Sequence, residues 1–435
     1  MRISVIGCGY LGAVHAACLA DLGHDVVGID IDESKIRLLA AGSPPFYEPG
    51  LAELLTSTVA SGRLRFSTDI ADARGAAVHF VTVGTPQLEG SNAADLRFVD
   101  GAIENLLPHV QPRDLIVGKS TVPVGTAARL AARIAEVAPE TALAWNPEFL
   151  REGWAVKDTM TPDRFVYGLA QGDERSEALL DEVYAAALAT GTPKVVADFA
   201  TAELVKVSAN AFLATKISFI NAMAEIAEVT GADVTKLADA IGHDARIGRR
   251  FLGAGIGFGG GCLPKDIRAF VARADELGVG ESLAFLRHVD EINLRRRARV
   301  VELTRELAGG SLEGKTIGVL GLAFKPHSDD VRDSPALDVA TRLIAEGALV
   351  RAYDPQAVET ARARNPELHY ASGTLDAVAG VDVVVLVTEW DDFRYLTPHD
   401  LESVAPGRAI VDGRNCLNPV QWREAGWQYR SLGRP

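Results

Sequence analysis

Short apolar runs alternate along this chain with longer stretches in which apolar residues recur every three or four positions. Residues 2–6 form the first run, an amphipathic pattern follows to Leu22, and a second run covers 25–30. Further runs lie at 78–83, 115–121, 164–168 and 194–197. Runs this short, bounded by turn residues, read as strands buried on both faces, and the intervening period reads as covering helices. From 200 to about 230 one helical pattern continues without Pro or Gly. A second, over 282–307, is rich in arginine and carries Asn293. After a candidate linker at 312–315 the alternation resumes in a new α/β unit that begins at 316–325 and has further strands at 350–354, 381–387 and 409–412. The pattern predicts an α/β protein with two doubly wound regions separated by a long central helix.

The length of 435 residues fits more than one hydrophobic core. With 48% hydrophobic and 23% charged residues, the composition is that of a globular protein. The net charge of −14 argues against nucleic acid or an anionic membrane as the main partner. It leaves room for an anionic ligand, because helix N-termini and arginines act locally. Cys8, Cys18, Cys262 and Cys416 show neither metal-type spacing nor a disulfide framework, which suits a reducing compartment. No metal is expected. No run reaches membrane-spanning length, and Met1-Arg2 leads straight into a strand, so a cytoplasmic location is expected.

The first strand ends in Gly7-Cys-Gly9-Tyr10-Leu11-Gly12, a helix follows, and the second strand ends in Asp30. This strand, G-x-G-x-x-G, helix, strand and acid series is the full context of a dinucleotide fingerprint. The glycines allow a tight turn and close approach of a pyrophosphate to the helix N-terminus. Asp30 would accept hydrogen bonds from the adenosine ribose hydroxyls and repel a 2′-phosphate, which selects NAD over NADP. Lys35 is placed either to help at the ribose or simply to face solvent. Thr85, Ser120 and Thr121 fall at strand C-terminal ends, where such sheets bind ligands, although such residues also serve as helix caps.

A helix after Pro147 would put Glu148 and Glu152 on one face as a carboxylate pair able to supply a general base, or as an acidic solvated face. Lys206 and Asn210 lie one turn apart on the long helix among apolar positions, and a buried lysine there is paired or functional. In Gly257-Phe-Gly-Gly-Gly-Cys262-Leu-Pro-Lys265-Asp266, Pro264 suits a first helical turn and 267–277 reads as the helix. Cys262 would precede that helix with Lys265 nearby, two features that favour a nucleophilic thiolate. The same stretch also suits a buried cysteine in a tight turn. The later Gly318-Val-Leu-Gly321 lacks the full fingerprint, so a different ligand is expected there.

Together these segments resemble UDP-glucose 6-dehydrogenases of the UDP-glucose/GDP-mannose dehydrogenase family, over nearly the whole chain. The segments that carry the resemblance are 7–12, Phe46-Tyr-Glu-Pro-Gly-Leu51, Lys119-Ser-Thr121, 146–153, 203–212, 257–266 and 321–335. The resemblance implies two Rossmann-like domains joined by a long helix, with the active site in the cleft between them. The implied division is an NAD-binding domain at 1–199, a central helical domain at 200–311 and a nucleotide-sugar-binding domain at 312–435. It implies two successive NAD-dependent oxidations of a sugar C6 hydroxyl to a carboxylate, without metal, through a thiohemiacetal and a thioester on Cys262.

By resemblance, Lys206 and Asn210 hold the reacting oxygen, and Asp266 orders a water as proton acceptor. Glu148 is the base for thioester hydrolysis, Glu152 contacts nicotinamide and water, and Thr121 lies near cofactor and water. Gly7, Gly9, Tyr10, Leu11, Gly12, Asp30, Lys35, Thr85, Lys265 and Arg332 join the cofactor set. Leu11 stands where valine is commoner. The substrate set comprises Glu148, Phe149, Leu150, Arg151, Glu152, Lys206, Asn210, Phe251, Leu252, Gly253, Ala254, Gly255, Gly259 and Lys325. Arg246 would reach it from a neighbouring subunit, so a homodimer or higher homo-oligomer is expected. UDP-glucose is the expected substrate and GDP-mannose the alternative. A one-step 3-hydroxyacid-type dehydrogenase would leave 257–266 and the second doubly wound half unexplained. A non-enzymatic NAD-sensing module would not need Cys262, Lys206 and the two glutamates.

Overall fold

Two sheets organise the computed structural model, which describes residues 1–435. The first contains β1 (Arg2–Ile6), β2 (Asp25–Ile29), β3 (Leu64–Ser67), β4 (Val78–Val81), β5 (Leu115–Gly118), β6 (Ala142–Trp145), β7 (Phe165–Gly168) and β8 (Lys194–Ala197). Their order is β3-β2-β1-β4-β5-β6-β7-β8. The pairings among β1 to β6 are parallel, and β7 meets β6 antiparallel at Trp145 and Gly168. The second sheet contains β9 (Thr316–Leu320), β10 (Leu349–Tyr353), β11 (His369–Tyr370), β12 (Val383–Leu386), β13 (Ala409–Asp412) and β14 (Gln428–Ser431). It is parallel throughout, in the order β11-β10-β9-β12-β13-β14. Both sheets are Rossmann-like: the order reverses beside the first strand of each, where such folds bind ligands.

Alternation along the strands of the first sheet feeds two separate cores. Ile3, Val5, Val78, Phe80, Leu115 and Val117 face the layer that holds the helices Tyr10–Asp21 and Leu51–Ala60. Ile6, Val27, Val81 and Ile116 face the layer that holds Arg97–Leu106 and Thr126–Val137. Strands buried on both faces explain the near-continuous apolar runs. By packing, Met1–Ala209 with Ala272–Gly278 form one unit, and Asn210–Val271 with Val279–Pro435 form the other. The helix Phe199–Thr230, read from the uninterrupted pattern, begins in the first and ends in the second.

Some sequence expectations change. No helix follows Pro147: residues 147–153 are irregular, and the next helix is Ala155–Met160. Glu148 and Glu152 are therefore not paired on a helical face. Strands β4 and β5 end earlier than the apolar runs, at Val81 and Gly118. The chain leaves the sheet there, which puts Thr85, Ser120 and Thr121 beyond the strand ends. The helix that includes Pro264 starts earlier than expected, as Leu263–Glu276, and the arginine-rich helix is Ala284–Leu307.

Candidate active site

The turn after β1 is built for close approach. Gly7 has φ +93°, and a Cβ on Gly12 would lie 2.0 Å from the Gly7 carbonyl oxygen. A Cβ on Gly9 would meet nothing within 4 Å, so that face of the turn is open. The helix Tyr10–Asp21 starts there with no side-chain cap, leaving its first N–H groups for a ligand. Asp30, at the end of β2, pairs with Lys35 Nζ at 2.9 Å. The lysine expected at the ribose thus stands against the acid expected to bind it. Thr85 Oγ1 donates to the Thr121 carbonyl at 2.8 Å, joining the ends of two neighbouring strands. These features fit a dinucleotide. The Tyr10 hydroxyl bonds the Glu48 carboxylate and accepts from Gly153 N at 3.0 Å.

Glu48 comes from the Phe-Tyr-Glu-Pro-Gly segment and is buried. It accepts from Gly153 N at 2.6 Å and Ala155 N at 2.7 Å, anchoring the irregular stretch that carries both candidate glutamates. Burial raises its pKa, against the pull of these hydrogen bonds. Glu148 Oε2 accepts from Leu150 N at 2.6 Å, and Oε1 accepts from Lys206 Nζ at 3.0 Å. Phe149 lies under Lys206 and under Arg164, whose guanidinium is 3.8 Å from the ring centroid. Arg151 is held by Asp158 through two side-chain bonds, at 2.8 and 2.6 Å. Glu152 is half-buried. Glu203, on the long helix, accepts from Gly125 N and Ala127 N at 2.7 Å each and so caps the helix Thr126–Val137.

In the second unit, Cys262 is exposed and immediately precedes the helix Leu263–Glu276. Its carbonyl accepts from Asp266 N at 2.9 Å, so the thiol sits at the positive end of that helix. Asp266 is buried and accepts from Asn210 Nδ2 and Lys265 Nζ, each at 2.7 Å. Lys265, expected at the cofactor, therefore has its ammonium on Asp266.

Asn293 clamps the glycine loop from the arginine-rich helix. It accepts from Phe258 N at 2.7 Å and donates to Phe258 O at 3.0 Å. Arg332 O accepts from Gly260 N at 2.9 Å, and a Cβ on Gly261 would lie 2.3 Å from the Arg332 guanidinium carbon. Gly259 is a packing glycine, since a Cβ would stand 2.2 Å from the Asp333 carbonyl. Phe251 has φ +66° and Gly253 is open, whereas Leu252 and Ala254 are buried. Gly255 N donates to Asn221 Oδ1 at 2.9 Å, tying this loop to the long helix. Lys325 lies 5.2 Å from the Phe324 ring centroid. Arg246 has an 89% exposed side chain and pairs with Asp244.

A Ser–His–Asp row also exists. Ser4 Oγ lies 2.7 Å from His79 Nδ1, and Asp114 Oδ2 lies 3.2 Å from His79 Nε2. All three are buried within the first sheet, where no substrate reaches them, so the row is a polar tie between strands.

The chain matches three successive family models. Residues 1–188 match the NAD binding domain of the UDP-glucose/GDP-mannose dehydrogenase family, 200–295 its central domain and 318–419 its UDP binding domain. A UDP-glucose 6-dehydrogenase of Rhizobium meliloti is 42% identical over the full length of both chains. The chain belongs to the UDP-glucose/GDP-mannose dehydrogenase family. The UDP-glucose 6-dehydrogenase TuaD of Bacillus subtilis is also 42% identical, over 100% of this chain and 93% of that one. A solved UDP-glucose dehydrogenase from Pyrobaculum islandicum superposes with a TM-score of 0.91 at 40% identity, covering 100% of this chain and 98% of that one.

The family's separate NAD and UDP modules have a physical counterpart here. Asp354 follows β10 as Asp30 follows β2. Its carboxylate is consumed by Leu322 N, Ala323 N, Gln356 N, Ala357 N and Trp390 Nε1. The acid that would bind a ribose in the second sheet instead holds the loop after β9. Degeneration of the fingerprint at Gly318 and Gly321 and loss of the free carboxylate go together.

Proposed function

We propose that this chain is an NAD-dependent UDP-glucose 6-dehydrogenase that oxidises the sugar C6 alcohol to a carboxylate by way of a thioester on Cys262. The observation that carries this reading is the exposed Cys262 at a helix N-terminus, one turn before a buried Asp266 that is bonded to Asn210. A one-step alcohol oxidation needs no such thiol.

In the first oxidation a water held by Asp266 takes the C6 hydroxyl proton, while Lys206 and Asn210 stabilise the oxygen as it becomes anionic. The Gly7 to Gly12 turn, Asp30, Lys35, Thr85 and Arg332 would hold NAD, which would supply the hydride acceptor for each oxidation. The Cys262 thiolate then adds to the aldehyde carbon, and Lys206 and Asn210 hold the thiohemiacetal oxygen. After the second oxidation Cys262 carries a thioester. Glu148 takes a proton from water, the water oxygen bonds the carbonyl carbon, and the C–S bond breaks to restore the thiolate. Glu152 and Thr121 position this water and the nicotinamide. UDP-glucose, two NAD⁺ and one water become UDP-glucuronate, two NADH and three protons.

Phe251 to Gly255, Gly259 and Lys325 form the proposed nucleotide and diphosphate contacts, with 148–152 on the sugar. The enzyme is proposed to be a homodimer. Phe212, Phe219 and Ile226 recur along the long helix 66%, 49% and 55% exposed, and Val229 is 88% exposed. An apolar stripe of this period fits a second copy of the same helix. The exposed Arg246 suits a role across that interface. Free thiols at all four cysteines fit a reducing cytoplasm, and no helix is long and apolar enough to cross a membrane.

The test is NADH formation with UDP-glucose and GDP-mannose in parallel. UDP-glucose is expected to be turned over to UDP-glucuronate, and equal or better turnover of GDP-mannose would overturn the choice of base.

A further inference from the structure

Lys119 directly follows β5 and is buried. Its ammonium donates to Asn146 Oδ1 at 2.9 Å and to Tyr184 Oη at 3.3 Å. It also lies 5.8 and 5.7 Å from the ring centroids of Phe80 and Tyr184. These partners are all uncharged, and a buried ammonium so placed is unfavourable for folding unless it serves the chemistry.

The same Asn146 Oδ1 accepts from Tyr184 Oη at 2.7 Å, and Asn146 Nδ2 donates to Val166 O at 2.9 Å. Two residues further along the chain is Glu148. Lys119, Asn146, Glu148 and Tyr184 all line one cavity of about 50 Å³, large enough for water.

We propose that Lys119 is a positioning residue for Glu148: it pins the Asn146-Pro147-Glu148 turn through Asn146 and faces the Glu148 carboxylate as a second cation across the cavity both line. This rests on the reading of Glu148 as the base of thioester hydrolysis.

The other charged groups around the cavity are already committed or of opposing sign. Lys206 pairs with Glu148, Asp158 with Arg151, and Arg164 stacks on Phe149 beside Asp163. His15, from the helix Tyr10–Asp21, is held neutral chiefly by burial and then by Lys119, and its Nε2 has no partner. Burial pushes the Lys119 ammonium down to about 7, with Glu148 opposing that shift and Lys206 adding to it. Below that pH two cations, Lys119 and Lys206, draw on the Glu148 carboxylate. Above it Lys119 is neutral, and the Glu148 carboxylate faces Lys206 alone. Acid release should therefore rise through neutral pH along a limb that belongs to Lys119.

The experiment measures single-turnover release of UDP-glucuronate across the neutral pH range in wild type, Lys119→Met, Lys119→Arg, Tyr184→Phe and Glu148→Gln. Wild type should show the limb. Lys119→Met should lose it and release acid about tenfold more slowly, through the loosened turn, with KM for UDP-glucose changed less than about twofold. Lys119→Arg, a permanent cation, should also lose the limb and stay at the low-pH rate. Tyr184→Phe removes one acceptor from the cation and should move the limb to lower pH. A purely structural lysine would slow release equally at every pH and leave the limb in place. An unchanged limb in the variants that fold overturns the proposal, and Tyr184→Phe, which alters one hydroxyl only, decides it if the lysine variants do not fold. Wild-type release by Glu148→Gln would instead overturn the base reading. Slow release by Glu148→Gln with an unchanged limb in the Lys119 and Tyr184 variants would sink the role of Lys119 alone.

Discussion

Lys206 donates to Glu148 Oε1 at 3.0 Å, with side chains only 5% and 13% exposed. The ammonium proposed to stabilise the reacting oxygen is thus held in place by the carboxylate proposed to activate the hydrolytic water. Glu148→Gln keeps the side-chain shape and removes the base. Both oxidations should survive, acid release should fall by roughly 10²-fold or more, and the thioester should accumulate on Cys262. Mass spectrometry of the quenched enzyme checks this, and absence of a covalent adduct in a slow Glu148→Gln enzyme would count against the assignment.

Asp30 and Lys35 share one ion pair beside the open face of the glycine turn. Asp30→Ala should weaken NAD by about tenfold, or ~1.4 kcal/mol, and improve NADP relative to it. Wild-type enzyme that used NADP as well as NAD would show that Asp30 does not read the ribose.

Asn293 satisfies both backbone groups of Phe258, and a Cβ on Gly257 would lie 2.1 Å from its Oδ1. Asn293→Ala leaves the buried Phe258 N–H unpaired, with Phe258 O kept only by Arg297 Nη2 at 3.2 Å, and should destabilise the fold by about 1–3 kcal/mol. Calorimetry reads the lowered Tm. The loosened glycine loop should also slow reaction at Cys262 more than it raises KM for NAD.

The exposed stripe of Phe212, Phe219 and Ile226 gives a direct test of assembly. Phe219→Glu places a charge at its middle and should yield monomer in light scattering, whereas wild type should be dimeric at the same concentration. A fully active wild-type monomer would remove the role given to Arg246.

The local signals were legible where one segment carries the whole device. Gly7, Gly9, Gly12 and Asp30 are spaced along consecutive elements, and turn, helix and acid follow in that order. Cys262 and its helix are equally local. Partners brought together by packing were not legible. Lys206 and Asn210 read as a pair one turn apart, yet Lys206 meets Glu148 and Asn210 meets Asp266. Glu148 and Glu152 read as a helical pair, but Tyr10 and Glu48 hold that stretch irregular. Lys119 and Asn293 each stand out as an ionisable or amide group inside an apolar or arginine-rich run, without showing what it would bind. The edge strand β11 has two residues and so too little apolar periodicity to read.

The most direct test is the NADH yield per UDP-glucose in wild type and Cys262→Ala. In the proposed mechanism the thiol is needed only after the aldehyde forms, because a free aldehyde has no hydroxyl from which to make the second carbonyl. Wild type should give two NADH and one UDP-glucuronate per sugar. Cys262→Ala should still bind both ligands but give at most about one NADH, with the sugar held as aldehyde or hydrate and little acid formed. Two NADH per sugar and UDP-glucuronate at near wild-type rate from Cys262→Ala would contradict the covalent mechanism.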